Sequence, residues 1–173
     1  MNFRRIVKVS ICLAMLSVST GLWAQNESRW QNVDINQQNR EPRRASFFAY
    51  ESQDKAQGFD KKESANYLSM EGMWKFNFVK DHNKRPAKFF AVNYDDSKWK
   101  DFPVPGLFEL NGYGDATYKN VGYAWATQFA PNPPYISETN NYTGSYRRTF
   151  DLPTDWKGKD VYFHVGSATS NLT

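Results

Sequence analysis

The sequence predicts an all-β sandwich. Three observations carry that expectation: strict apolar–polar alternation over residues 73–79, two further alternating stretches between residues 146 and 165, and a composition that is 17% aromatic yet rich in amides and charges. A length of 173 residues suffices for one domain with its own core. The mean hydropathy of -0.75 comes from Asn, Gln, Lys and Asp, and the abundant rings supply the apolar surface that a disordered chain lacks.

Residues 1–24 read as a signal peptide. Arg4, Arg5 and Lys8 form a positive start, residues 9–18 are an apolar run broken by serines and Cys12, and Ala24 offers a cleavage point before Gln25. Leu22 stands where a small residue is preferred, which leaves the cleavage position open. An uncleaved anchor is the alternative, although a membrane-spanning helix needs roughly 20 apolar residues. Cys12 is the single cysteine. Cleavage leaves a chain without thiols, which excludes disulfides, thiolate catalysis and cysteine metal sites. The formal charge of +4 falls to +1 once Arg4, Arg5 and Lys8 are removed, and no basic stripe interleaved with aromatics remains. Nucleic acid is therefore not an expected partner, nor is a membrane after cleavage.

Residues 25–66 read as an extended amino-terminal arm, with charged residues 40–44 leading into an apolar stretch at 45–50 and a charged loop over 55–64. The sandwich domain is expected over 67–173. In residues 73–79, Trp74, Phe76 and Phe78 share one face and Lys75 and Asn77 the other, with Gly72 suited to the turn before them. Pro86 opens a short helical turn over 87–92, since proline is tolerated at a first helical position. Asp95, Asp96 and Ser97 signal a turn before Trp99, which is assigned with Trp74 to the core.

Residues 101–110 contain Pro103 and Pro105 and are confined to an edge strand or a connector. Residues 111–143 show no period and read as one long loop, and loops of that length in compact domains are usually functional. Tyr146, Arg148 and Phe150 then share a face of one strand, and Val161, Phe163 and Val165 a face of another, after a turn at 153–158. Arg148, in phase with Tyr146, is expected to find a carboxylate partner or an exposed end. About four or five strands are expected where a closed sandwich has about seven, so the fold reads as truncated before its last strands.

Glu109, Asp115 and Glu138 are the carboxylates in or beside the long loop, and their spacing fixes no catalytic pair. His82 and His164 lack partners at ligand spacing, so no metal site is expected. There is no phosphate loop and no nucleophile elbow. Residues 26–28, 141–143 and 171–173 match the glycosylation sequon, a pattern that arises readily by chance.

One constellation is more specific. It runs Pro103-Val-Pro-Gly106, Asn111-Gly-Tyr-Gly-Asp115, Tyr118-Lys-Asn120-Val-Gly122-Tyr-Ala-Trp125, Pro131-Asn-Pro-Pro134 and Thr143-Gly-Ser-Tyr146-Arg-Arg148. Residues 43–50, Gly72-Met-Trp-Lys-Phe76 and Asp155-Trp-Lys-Gly158 match in the same order. Together they resemble the amino-terminal sugar-binding domain of the large lactose-cleaving β-galactosidases of glycoside hydrolase family 2, over residues 41–171.

The resemblance implies a jelly-roll, galactose-binding-like sandwich that packs on a later catalytic barrel and sends a loop into its active site. It implies hydrolysis of terminal non-reducing β-D-galactose residues in β-galactosides, with a galactose-containing oligosaccharide and the barrel as partners and the periplasm as destination. It also implies that Asn120, with Val121 beside it, contacts the galactose. An amide offers both donor and acceptor to a hydroxyl-rich ligand, whereas the plainer reading of Asn120 is a turn residue. Tyr118, Tyr123 and Trp125 are assigned to packing that holds the loop, with stacking on a sugar ring as the alternative. The family's catalytic glutamates and its magnesium and sodium ligands have no counterparts here. The chain alone is therefore expected to be inactive and to hold no cofactor. The alternatives are a stand-alone carbohydrate-binding module and a segment that complements a separate enzyme chain.

Overall fold

The computed structural model describes residues 31–116, 122, 135–137, 139–169 and 171–173. The chain divides into two units, Met1–Arg40 with Ala168–Thr173, and Glu41–Ser167. In the first, residues 31–40 hold a turn in which the Ile35 N–H donates to the Asn32 carbonyl and the Asp34 N–H to the Asn32 side chain. The sheet lies in the second unit.

The charge-rich stretch expected as a loop over 55–64 instead forms helix α1 (Gln53–Gly58) and a single 3-10 turn (Lys61–Glu63). Ser52 caps α1 by accepting the Lys55 N–H at 3.3 Å, and Phe59 ends it in the left-handed conformation at φ 56°. Asp60 caps the second turn by accepting the Lys62 N–H at 2.9 Å. Neither buries a residue, so capping rather than an apolar face sets them, and no hydrophobic period announces them. Glu51, just before α1, accepts from the Ser64 hydroxyl at 2.8 Å and from the Ala65 N–H. A hydrogen bond from its own backbone N–H, followed by those from Ser64 and Ala65, holds its carboxyl at about 2.

Three strands form one antiparallel sheet: β1 (Gly72–Asp81), β2 (Lys100–Val104) and β3 (Thr139–Arg147), in the order β2-β1-β3. The all-β class expected of the sequence is the class the chain adopts. Trp74 lies opposite Phe102, Phe76 opposite Tyr146 and Phe78 opposite Gly144, so one face of the sheet is aromatic from edge to edge. Phe76 and Phe102 are the most deeply buried rings, 2% and 1% exposed, with centroids 4.4 Å apart. Phe108 and Tyr113 close over them at 5.6 and 5.0 Å from Phe76. Burial of one such ring stabilises by about 1.5–3 kcal/mol, and each favourable ring pair adds about 1 kcal/mol. Gly144 leaves the room this packing needs: a Cβ there would stand 2.6 Å from Phe76 Cε2 and 2.7 Å from Phe108 Cζ. Burial in this cluster pushes the Tyr146 hydroxyl up to about 12.

The opposite face is polar at the strands, and Arg147 of β3 ties the turns at residues 89–96 to it. Lys75 pairs with Asp101 at 2.9 Å, and Arg147 donates to Asp96 at 2.7 Å and to the carbonyls of Ala91 and Phe89. Trp99 is 8% exposed, with Phe89 and Tyr94 at 6.1 and 5.6 Å, as its assignment to the core requires.

Several expectations are corrected. Trp74 is half-buried at the sheet margin rather than in the core, and its indole N–H donates to the Met70 carbonyl at 2.8 Å. Arg148 has main-chain partners instead of a carboxylate: it donates to the carbonyls of Met70 and Glu71 at 2.7 and 2.8 Å, with its guanidinium 5.9 Å from the Trp74 ring. Carbonyls suffice because a guanidinium needs acceptors, and these lie where the chain enters β1. The segment opened by Pro86 is a run of turns without a regular helix. β3 begins at Thr139, inside the expected loop, because pairing with β1 recruits polar residues that show no period of their own. Val161, Phe163 and Val165 form no strand among the described residues and are 46%, 61% and 43% exposed. Alternation alone makes no ladder without a neighbouring strand to hydrogen-bond.

Candidate functional site

At one end of the aromatic face the chain after β2 folds into a hook. Phe108 inserts its ring beside Phe76 and Phe78, and a 3-10 turn (Glu109–Asn111) follows. The Asn111 side chain donates to the Leu107 carbonyl at 2.8 Å, and the N–H groups of Asn111 and Tyr113 both donate to the Phe108 carbonyl at 3.0 Å. Gly112, at φ 80°, ends the turn in a conformation that glycine adopts without steric cost. The reversal sends Tyr113 back into the cluster, 5.3 Å from Phe78 and 5.9 Å from Phe102.

From there the chain crosses the ring of Tyr142 on β3. Gly114 has φ 72°, and a Cβ at that position would stand 3.1 Å from Tyr142 Cδ2, so both backbone angle and space call for glycine. The Tyr142 hydroxyl donates to the Asp115 carboxylate. That hydrogen bond, with burial as the lesser cause, raises the Tyr142 hydroxyl above the ordinary tyrosine value, so it stays a donor through the neutral range. Tyr142 is itself seated by Phe78, with centroids 5.5 Å apart. On the same strand, Thr143 lies within 3.2 Å of His82 Nδ1.

Asn120 and Val121, which the resemblance assigns to sugar contact, lie outside the described residues, as do Tyr118, Tyr123, Trp125 and Glu138. The described residues therefore bring together the foot of the loop and leave its assigned contact residues unplaced. Of the loop carboxylates, Glu109 opens the 3-10 turn and is exposed, while Asp115 is bound by Tyr142. Among the described residues no group of three or more His, Cys, Asp or Glu side chains converges, and no helix is long and apolar enough to cross a membrane. The Asp115–Tyr142 contact is the feature that sequence reasoning misses. Its signal is the alternation of Tyr142, Gly144 and Tyr146, which continues one strand face back into what reads as a sequon within a loop.

The arrangement joins an aromatic floor to a polar rim. Such a floor holds a loop in place, and such a rim presents hydrogen-bonding groups to solvent or to a hydroxylated ligand. Residues 67–169 match the model of glycosyl hydrolases family 2, sugar binding domain. The chain is 34% identical over 140 residues to a β-galactosidase of Priestia megaterium, covering 80% of this chain and 14% of that protein. It is 33% identical over 139 residues to a β-galactosidase of Halalkalibacterium halodurans, covering 79% and 13%. A β-galactosidase large subunit of Leuconostoc lactis is 34% identical over 105 residues, with 54% of this chain and 17% of that protein covered.

Proposed function

Because the chain belongs to glycosyl hydrolase family 2, as its sugar-binding domain, we propose that it is the amino-terminal part of an exported β-galactosidase. The substrate is a β-galactoside with a terminal non-reducing β-D-galactose, and the loop bearing Asn120 and Val121 contacts that sugar. The observation that carries this reading is the 34% identity to a β-galactosidase across 80% of the chain, a span that includes the hook at 108–115.

The chain spans 14% of that relative's length, and catalysis is proposed to reside in the remainder. There a carboxylic acid protonates the leaving oxygen while a carboxylate about 5 Å away attacks the anomeric carbon, if the outcome is retention. This chain's part is to hold hydroxyls of the sugar. The amide of Asn120 donates to one oxygen and accepts from another, and the residue beside it, Val121, offers apolar contact. Magnesium and sodium, expected of the family, find no fitting acidic cluster among the described residues, and no step here runs through them. The designation "large subunit" of the Leuconostoc lactis relative supports a second reading, in which a complementing partner chain completes the enzyme.

The test is hydrolysis by the protein made from its complete reading frame. Nitrophenyl β-galactoside is expected to be cleaved in preference to the matching β-glucuronide and β-mannoside, and Asn120→Ala to lower kcat/KM by about tenfold or more. A preference for another glycoside, or an unchanged Asn120→Ala enzyme, refutes the corresponding part. Fractionation of producing cells tests export: activity confined to the cytoplasm rejects it.

A further inference from the structure

We propose that Asn111 is a deamidation site that the folded hook keeps slow, and that its conversion to aspartate unlatches the hook from the aromatic cluster. Asn111-Gly112 is the one Asn-Gly step in the sequence. In the reaction the Gly112 backbone nitrogen bonds to Asn111 Cγ, the Cγ–Nδ2 bond breaks, and the Gly112 proton leaves with that nitrogen as ammonia. Water then opens the cyclic imide at either carbonyl, giving aspartate or isoaspartate, and no oxidant or cofactor takes part. Glycine favours the step because it has no side chain to obstruct its nitrogen. Asn111 is half-buried and Gly112 exposed, so the site is open to water.

Three features oppose ring closure in the folded chain. The Asn111 side-chain nitrogen donates to the Leu107 carbonyl at 2.8 Å, and it sits so near Gly106 that a Cβ there would stand 3.3 Å from it. The Gly112 N–H, the nucleophile, donates to the Glu109 carbonyl at 3.4 Å. Asn111 is also the last residue of the 3-10 turn. Residues so placed have ψ of roughly −30° to 0°, which holds the next nitrogen far out of the plane that a five-membered ring needs. The reaction therefore proceeds from the opened hook, at the intrinsic rate scaled by the open fraction. Its product cannot rebuild the latch. A carboxylate has no N–H for the Leu107 carbonyl and sets acceptor against acceptor. Isoaspartate adds a carbon to the main chain between Phe108 and Tyr113, whose rings pack 5.6 and 5.0 Å from Phe76.

The experiment uses the protein from its complete reading frame and needs no substrate. Samples are held at mildly alkaline pH, folded or in urea, then digested, and aspartate plus isoaspartate at position 111 is measured by mass spectrometry. Asn66-Tyr67 and Asn93-Tyr94, each followed by a bulky residue, are the slow references. In urea, conversion at 111 is expected to outrun both references, and in the fold to be about tenfold or more slower than in urea. Asn111→Asp carries the product, and its hook amides are expected to exchange hydrogen about tenfold faster, with those of β1 within about twofold of wild type. If Asn111→Asp fails to fold, wild type aged to partial conversion gives the same comparison, since the converted and unconverted hook peptides separate by chromatography. Equal rates in fold and urea, no excess at 111 over the references, or unchanged exchange in the aspartate form overturns the inference.

Discussion

Arg147 Nε and Asp96 Oδ2 stand 2.7 Å apart, with side chains 18% and 30% exposed, which makes this the least solvated ion pair among the described residues. The same guanidinium donates to the carbonyls of Ala91 and Phe89 and lies 5.3 Å from the Tyr94 ring, so it fastens the turns before β2 to β3. Asp96→Ala leaves a charge short of its counterion and is expected to cost ~2 kcal/mol. The exposed Lys75–Asp101 pair offers the contrast, and Asp101→Ala is expected to cost under ~1 kcal/mol. Urea unfolding midpoints decide, and equal losses would contradict the ranking.

Phe76 touches Phe102, Phe108, Tyr113 and Tyr146 from the centre of the sheet. Phe76→Ala removes that hub and leaves a cavity, for an expected loss of about 3–5 kcal/mol. Phe59, 87% exposed, serves as the control, with a change within ~0.5 kcal/mol.

Gly144 sits under two rings, as the 2.6 and 2.7 Å approaches to Phe76 and Phe108 indicate. Gly144→Ala is expected to destabilise by about 1–3 kcal/mol through overpacking. A thermal unfolding midpoint equal to wild type would mean that the Phe108 hook moves aside without cost.

Glu51 sets an acid limit on the junction between α1 and the body. Its folded carboxyl lies at about 2, below the ordinary 4.5, because hydrogen bonds from its own backbone, Ser64 and Ala65 favour the ionised form. A depressed carboxyl stabilises fully above its unfolded value, and that contribution disappears as pH falls from 4.5 toward 2. Glu51→Gln is expected to flatten the dependence of stability on pH within that window. Parallel pH profiles for the two proteins would remove Glu51 from the account.

The readability of these elements from sequence follows what each one rests on. β1 is legible because Trp74, Phe76 and Phe78 alternate with polar residues, the direct imprint of a half-buried strand. The edge position of β2 is legible from Pro103. Helix α1 rests on the Ser52 cap and buries nothing, and the start of β3 takes its register from pairing across Val79 and Asp81, so neither leaves a periodic trace. The Val161 to Val165 alternation misleads because a strand is a relation between two segments rather than a property of one. At the site, Gly114 is visible as a glycine, yet its reason is a ring from residue 142, brought near only by the fold. Asn120 and Val121 lie outside the described residues, and their role continues to rest on resemblance.

Pro103, paired with Met73 near the end of β2, bears on how copies of the chain meet one another. β2 is outermost among the described strands, and a proline there offers no amide to a strand approaching from outside. Lys100 and Asp101, both exposed, set charges of each sign at the start of the same edge. An incoming identical strand would lose a ladder bond at Pro103 and have to bring those charges out of water. Stacking of one molecule on the next through β2 is disfavoured by the same residue that marks the strand as an edge.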